Sequence, residues 1–355
     1  MDLVGYQNSV LCGRCPSLTP QIAANLLRAD RNDPVMMSLS PSDVHIARAL
    51  EKMLIGYKNR DYIADEVCPI VPVDKRTDSI FEIPVATMQT LASVQIAGQR
   101  ARPNEAKYSI NHTNTYNVKD YGLIDFISKD EITNADPPLR PYDYSRRILQ
   151  NMLELARESR VATLLTTNTN YGANHAALTG GSRWDTSTGD PVQDILGAIE
   201  SCFVRPNVLF MGGQVWPKVR TNPNVLKYVL GRPSTKSGAT PLVVDLDTFA
   251  QAFELDKVVV GRAKYNSAAE GATPVSSYLW GKSAGVIRVE PQPNPRETST
   301  MAYTYRFGAQ SILVQVIPEL LAGVRGGEYL KLVHSDDERV IGQDSTGYLF
   351  ETCIT

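Results

Sequence analysis

The stretch PNVLFMGGQVWPKVRTNPNVLKYVLG, residues 206–231, decides the fold of this chain. Its apolar run at 207–211 predicts a short strand that ends at the glycine pair Gly212 and Gly213. Residues 214–230 follow with the spacing of a helix. Residues 258–266 predict a second strand, and 278–282 predict the start of a third. Almost nothing in this block is typical of catalysis.

The composition is that of an ordinary globular protein. The chain has 355 residues, of which 43% are hydrophobic and 21% charged, with a formal net charge of -2. A sizeable core needs no disulfides at this length, and any DNA contact would have to come from a local basic patch. No apolar run approaches the ~20 residues that span a bilayer. The first residues, 1–5, carry no basic segment followed by an apolar one, so no secretory signal is expected. The cysteines are odd in number and scattered, which fits a reducing cytoplasm: Cys12, Cys15, Cys68, Cys202 and Cys353.

Four further helices are predicted. Residues 1–39 form an arm with one short helix starting at Thr19 and Pro20, and a clearer helix starts at Ser40 and Pro41. Residues 143–166 are the best helix, with an apolar stripe and with charged residues such as Arg157 and Glu158 expected mostly on other faces. Asp190 caps the fourth helix. Its inward residues are expected to be Ile195, Leu196, Ile199 and Cys202.

The remaining segments are predicted to be extended or irregular. Residues 62–73 contain repeated prolines, which suit an edge strand. Residues 74–122 lack a helical period and predict a long excursion with legs at 80–84 and 116–121; a flexible surface loop is the alternative. Residues 168–189 are expected to be a loop. The later strand candidates are 302–307, 311–318, 329–334 and 347–354.

Two motifs resemble binding sites but lack their context. Cys12 and Cys15 form a C-x-x-C pair, yet no strand precedes it, and the nearest further zinc ligands, His45 and Cys68, are distant in sequence. Ordinary thiols are therefore expected there. The sequence WGKS at 280–283 resembles the end of a phosphate-binding loop, but Ser276 stands where that loop needs glycine.

No catalytic, cofactor-binding or metal-binding residue is predicted, and no cofactor. The histidines are scattered, and each is expected to be a surface or satisfied polar residue: His45, His112, His175 and His334. The acidic run at 336–338 lies between two strand candidates. It is interpreted as an exposed turn of solvated carboxylates, with a cation site as the alternative.

From about residue 40 onward, the order of these elements resembles the major capsid proteins of tailed double-stranded DNA bacteriophages, which have the Hong Kong 97 phage capsid fold. The resemblance rests on the succession of arm, long extended loop, long helix, strand–glycine-pair–helix block and late strands ending in Gly347, Tyr348 and Leu349. Residues 62–67 and 73–75 are also similar to the stretch that precedes the loop in that family.

The resemblance implies an α+β fold in four regions. Residues 1–60 would be the N-terminal arm and 61–125 the extended-loop region. Residues 126–190 and 326–355 would form the peripheral domain, with the long helix as its spine, and 191–325 the axial domain.

The resemblance also implies a structural protein and not an enzyme. Its partners would be further copies of itself in hexamers and pentamers of an icosahedral shell, and packaged double-stranded DNA without sequence-specific contact. Portal and decoration proteins would be further partners, and no membrane would be involved. The arm is too short for a fused scaffolding region, and Met1 argues against trimming, so any scaffold would be a separate protein. Assembly in the host bacterial cytoplasm would place the protein in the virion.

Some relatives crosslink through lysine and asparagine, and three lysines lie in the loop region without any sign that they react: Lys75, Lys107 and Lys119. Two other functions stay open. An encapsulin-like nanocompartment shell would share the fold and enclose cargo enzymes. An enzyme with a dispersed site would need scattered groups such as Asp65, Glu66 and His175 to converge.

Overall fold

The computed structural model describes residues 62–80, 102, 114–136, 140–231, 244–269, 271–290, 300–308, 313–319, 324–343 and 345–355. All of them lie within one unit, residues 55–355. The predicted arm with its two helices, Cys12, Cys15 and most of the predicted loop lie outside the described residues.

The described part of the chain contains both helices and strands. The helices are α1 Ala64–Val67, α2 Lys129–Thr133, α3 Pro141–Thr166, α4 Pro191–Ser201, α5 Trp216–Val219, α6 Pro223–Leu230 and α7 Leu246–Ala252. The strands are β1 Ile70–Val73, β2 Thr77–Ser79, β3 Thr115–Asn117, β4 Lys119–Ser128, β5 His175–Ala177, β6 Val208–Gly212, β7 Lys257–Gly261, β8 Lys264–Asn266, β9 Ser276–Tyr278, β10 Ala284–Ile287, β11 Ala302–Phe307, β12 Leu313–Glu319, β13 Gly327–Val340 and β14 Gly347–Glu351.

The first sheet is built around the long strand β13. Strand β4 pairs antiparallel with one edge of β13. Along the other edge, β12 pairs with residues 327–333 of β13 and β11 with residues 336–340, both antiparallel. Strand β1 adds to β11 in parallel. It carries Pro72 and pairs only with β11 among the described strands, as expected for a proline-containing edge strand.

The long helix α3 covers one face of the first sheet. Its proline, Pro141, stands in the first turn, where a missing N–H costs nothing. Leu149 and Leu153 then pack against Leu330 and Leu332 of β13. The helix predicted at 143–166 is confirmed, with two more residues at its start.

The second sheet has the strand order β5-β14-β10-β6-β7. Strand β6 is buried along its whole length, as its uninterrupted apolar run predicts. The glycine pair that follows is required by close approach, because a Cβ at Gly212 would lie 2.2 Å from the carbonyl oxygen of Gly281. Helix α4 packs against this sheet, and Asp190 caps it by accepting from the N–H of Val192 at 3.1 Å.

The helix predicted over 214–230 is wrong as a single element. It divides into α5 and α6, because Pro223 has no N–H to continue a helix from the preceding turn. Asn222 caps the second piece through the N–H of Asn224 at 2.9 Å, and Gly231 ends it with a φ of 62°.

Four other predictions need correction. The strand predicted over 258–266 is interrupted between β7 and β8. Residues 278–282 do not begin a strand, since β9 ends at Tyr278 and a turn leads to β10. The predicted loop at 168–189 contains β5, which is too short to give a period-2 pattern. A helical turn, α1, precedes β1 in the segment predicted to be wholly extended.

The late strands are found where they were predicted, with shifted ends. The candidate at 329–334 is the centre of the much longer β13, and that at 311–318 is β12. Among the described residues, no helix is both long enough and apolar enough to cross a membrane.

Candidate functional site

Two consecutive residues of α3 hold the short helix α1. Arg157 forms an ion pair with Asp65 in the first turn of α1. The carboxylate of Glu158 accepts from the N–H of Ile63 at 3.0 Å and from the N–H of Ala64 at 2.8 Å. Since the first N–H groups of a helix have no partner inside it, Glu158 caps α1 from outside the local sequence.

Glu158 also reaches the second sheet. The indole N–H of Trp280, in the turn between β9 and β10, donates to Glu158 at 2.7 Å. Glu158 is fully buried, and that burial raises the pKa of its carboxyl group, although all three donors favour the charged form. One side chain therefore connects α3, α1 and the β9–β10 turn. We call Arg157 and Glu158, with the groups that they hold, the α1 clamp.

A layer of charges lies between α3 and the first sheet. Arg160 binds Glu338 of β13 with both oxygens in reach, the shortest distance being 2.9 Å. Arg306 of β11 binds Asp336 at 2.6 and 2.7 Å. Bidentate arginine–carboxylate pairs fix orientation as well as charge, so this layer sets the position of the helix on the sheet. We call these residues, together with Arg157 and His334, the ionic layer.

The base of the predicted loop is attached to the same sheet. Strands β2 and β3 pair, and Ile80 donates its N–H to the carbonyl of Asn114 at 2.7 Å. Ile80 and Asn114, which flank residues 81–113, are therefore neighbours. Asp337 accepts from the N–H of Asn117 at 2.8 Å, which ties β3 to β13. The second predicted leg, 116–121, contains parts of β3 and β4, whereas β2 ends at Ser79, just before the first predicted leg, of which 81–84 lie outside the described residues.

The acidic run is neither an exposed turn nor a cation site. It lies inside β13, where Asp336 is fully buried and Asp337 is 8% exposed. Each carboxylate meets an arginine. Within the described part of the chain, no group of three or more His, Cys, Asp and Glu side chains is placed to hold a metal ion.

The groups considered for a dispersed enzyme site do not act together. Asp65 belongs to the α1 clamp, and Glu66 pairs with Lys257 at 2.7 Å. The ring of His175 contacts the carbonyl of Gly172 at 2.9 Å. The cavity of about 400 Å³ beside Asp65 is lined by neither Glu66 nor His175.

The remaining sequence candidates have ordinary surroundings where they are described. The WGKS segment is the tight turn between β9 and β10, with Gly281 at a φ of 54°. Lys75 forms an ion pair with Asp78 at 3.0 Å, and Lys119 starts β4. Lys107, His45 and His112 lie outside the described residues. His334 is buried, contrary to the expectation of a surface or satisfied group.

Sequence analysis missed the buried role of Arg157 and Glu158. A signal for it exists, because Leu149, Leu153, Arg157, Val161 and Leu165 continue one stripe at intervals of four. An arginine in the middle of an apolar stripe predicts a buried ion pair.

Comparisons with known proteins agree with this architecture. The chain matches no family model. It is 28% identical over 306 residues to the major capsid protein of Pseudomonas phage JBD67, covering 86% of this chain and 96% of that protein. It is 22% identical over 316 residues to the major capsid protein of Burkholderia phage BcepMu, covering 84% and 94%.

Solved structures show the same fold. A phage-related protein from Bordetella bronchiseptica superposes with a TM-score of 0.62 at 19% identity, covering 86% of this chain and 97% of that one. The capsid of cyanophage P-SCSP1u gives a TM-score of 0.53 at 12% identity, covering 84% and 90%. The chain therefore has the α+β Hong Kong 97 phage capsid fold and is a homologue of phage major capsid proteins.

Proposed function

We propose that this protein is the major capsid protein of a tailed phage, a structural subunit that assembles with its own copies into an icosahedral head around double-stranded DNA. The observation that carries the proposal is the similarity to phage major capsid proteins over 86% of this chain and 96% of the relative. The fold supports it, because the capsid of cyanophage P-SCSP1u shares this fold over 84% of this chain.

The extended-loop region is proposed to act between subunits. A two-stranded hairpin such as β2–β3 is marginal alone in water, and here Asp337 of the first sheet holds it through the N–H of Asn117. Residues 81–113 and the arm would gain most by lying on neighbouring copies, where buried surface offsets the entropy lost on ordering. Closed symmetry then gives a shell and not an open fibre.

The four regions, 1–60, 61–125, 126–190 with 326–355, and 191–325, are kept as the proposed division of the chain. Two exchanges of strands connect the proposed domains. Strand β14 pairs with β10, and strands β11 and β12 pair with β13. Such exchanges, with the α1 clamp between them, would keep the two domains in a fixed arrangement within each subunit.

The proposed partners are hexamers and pentamers of this chain, with scaffolding, portal and decoration proteins as separate chains. Packaged DNA would be enclosed without sequence-specific contact, because a net charge of -2 gives no general attraction to phosphates. The protein would carry out no catalysis. It would be assembled in the host cytoplasm and reside in the virion.

Expression of the chain alone, followed by size-exclusion chromatography and negative-stain electron microscopy, tests the proposal. Closed shells, tubes or free hexamers and pentamers are expected. The matched control replaces residues 81–113 with a short glycine linker, which the adjacency of Ile80 and Asn114 permits. That variant should fold and fail to close shells. A uniform monomer for the full chain, even after the neighbouring genes are co-expressed, would contradict the proposal.

Mass spectrometry of particles from the native host identifies what the shell encloses. A genome with portal and tail proteins is the expected content. A cargo enzyme in place of a genome would instead indicate an encapsulin-like nanocompartment.

A further inference from the structure

His334 is an uncharged group placed among paired charges. It lies on β13, and its side chain is only 4% exposed. Its ring packs beside that of Tyr121 on β4, with ring centroids 5.6 Å apart. Its Nε2 atom makes no hydrogen bond within the described part of the chain, and Asp336 lies 3.5 Å from it. A buried polar atom without a partner is unusual and marks a group whose protonation changes the energy of its surroundings.

Three arginines surround this histidine from two sides. Arg306 belongs to β11, whereas Arg157 and Arg160 belong to α3, and the positive charge of each disfavours a proton on His334. Arg160 also stacks on the ring of Tyr121, with its guanidinium carbon 3.8 Å from the ring centroid.

The carboxylates near His334 are already engaged. Asp65, Glu338 and Asp336 each pair with one of the three arginines. Glu158 is occupied by three N–H donors, and Glu154 on the cavity rim accepts from Gln150. Asp336 favours a proton on His334 but already binds Arg306, so the proton would add a buried positive charge without a counter-charge of its own, which is costly for a side chain only 4% exposed.

Solvent can reach this place. A cavity of about 400 Å³ between α1, α3 and the first sheet is lined by Asp65, Arg157, Arg306 and His334. Its wall includes a side chain, that of Asp65, which is 73% exposed. The Nε atom of Arg157 also lacks a hydrogen-bond partner among the described residues. Beside this cavity, α3 and the first sheet are therefore held together by ion pairs. On either side of it they are held together by close apolar packing.

We infer that His334 and the three arginines around it form an acid-sensitive joint, in which protonation of His334 loosens α3 from the first sheet. This inference concerns the subunit itself and does not depend on the proposed function.

The direction of the effect follows from burial, which together with the arginines outweighs the opposing charge of Asp336 and lowers the pKa of His334 to about 4. An exposed histidine has a pKa of about 6.5, so the opened joint binds the proton more tightly than the closed one. The closed joint therefore loses stability as the pH falls from about 6.5 to about 4, and this loss stops below that range. Between pH 7 and 4.5 the equilibrium should shift about 60-fold toward the open form through this one group.

Hydrogen–deuterium exchange of the full chain at pH 7 and 4.5, corrected for intrinsic rates, tests the inference. Protection of amides in α3 and β13 should fall far more in the wild type than in His334→Gln, whose side chain cannot be protonated. The exposed His175→Gln is the matched control and should behave like the wild type. Equal loss of protection in the wild type and His334→Gln would overturn the inference.

A second measurement needs no variant at this position and so covers a failure of His334→Gln to fold. The ring C–H signal of His334 in isotope-labelled wild-type protein is titrated by nuclear magnetic resonance. A midpoint near pH 4 supports the joint, and a midpoint at pH 6 or above overturns it.

Discussion

Replacement of Glu158 by glutamine should weaken the fold at the α1 clamp. The carboxylate accepts three buried N–H groups, from Ile63, Ala64 and Trp280. A glutamine has one carbonyl oxygen, which can keep the two donors that now share Oε1. Its NH₂ group then faces the N–H of Ala64, and two donors meet.

The magnitude follows from that single mismatch. A buried donor left without an acceptor costs about 1–3 kcal/mol, and we expect this loss for Glu158→Gln. Removal of the buried charge offsets part of it, since burial raises the pKa of Glu158 and so disfavours the ionised form. Glu158→Ala strands all three donors, and its loss should reach about 3–5 kcal/mol. At roughly 2 °C per kcal/mol for a domain of this size, Glu158→Gln should lower Tm by about 2–6 °C.

Urea and thermal unfolding of unassembled subunits, followed by tryptophan fluorescence, provide the assay. Trp280 reports directly on the clamp. Glu154→Gln, one turn earlier on α3, is the control: Glu154 is exposed and accepts from Gln150, and its replacement should change stability by less than about 0.5 kcal/mol. If Glu158→Gln is as stable as Glu154→Gln, the three hydrogen bonds do not hold α1 and the reasoning is refuted.

Three other predictions concern a close-packed glycine, a residue with a positive φ and the buried thiols. Gly212→Ala should cost about 2–4 kcal/mol and reduce soluble yield, because its Cβ would meet the Gly281 oxygen, whereas Gly197→Ala on α4, with open space around it, should raise Tm. Glu254→Gly should stabilise the subunit by about 0.5 kcal/mol in urea unfolding, because Glu254 has a φ of 53°, which is strained for a residue with a side chain. If Glu254→Gly instead loses as much stability as Arg205→Gln, the ion pair between Arg205 and Glu254 contributes more than the backbone strain costs. At most two of the five thiols should react with a thiol reagent at pH 8 in the native protein, and all five should react after denaturation. The reason is that burial raises the pKa of Cys68 to about 12 and that of Cys202 to about 11. Rapid reaction of three or more native thiols would contradict this burial. The three thiols expected to be protected are those of the buried Cys68, Cys202 and Cys353.

Local patterns were reliable wherever one face or one cap decided the structure. The stripe of α3, the Asp190 cap of α4 and the apolar run of β6 each determined an element within two residues of its observed ends. The same patterns failed where an element was too short for a period, as in α1 and β5, or where proline divided a helical stretch, as at Pro223.

The contacts of the candidate site could not be predicted from local patterns. Acidic residues in sequence predict a solvated turn, yet Asp336 and Glu338 face α3 because alternate residues of β13 point to the same side. Whether carboxylates on that side contact water or an arginine depends on which element packs against it. The partners of these carboxylates, Arg306 and Arg160, are 30 and 178 residues away along the chain.

The class of fold, most of the longer elements and the resemblance to phage capsid proteins could be predicted from local patterns, because caps, apolar periods and glycine pairs act over a few residues. The hold of Arg157 and Glu158 on α1, the burial of the acidic run and the enclosure of His334 by arginines depend on the tertiary fold. Burial and charge pairing are properties of surfaces that meet across the fold. A residue's own neighbours in the chain do not specify what will cover it.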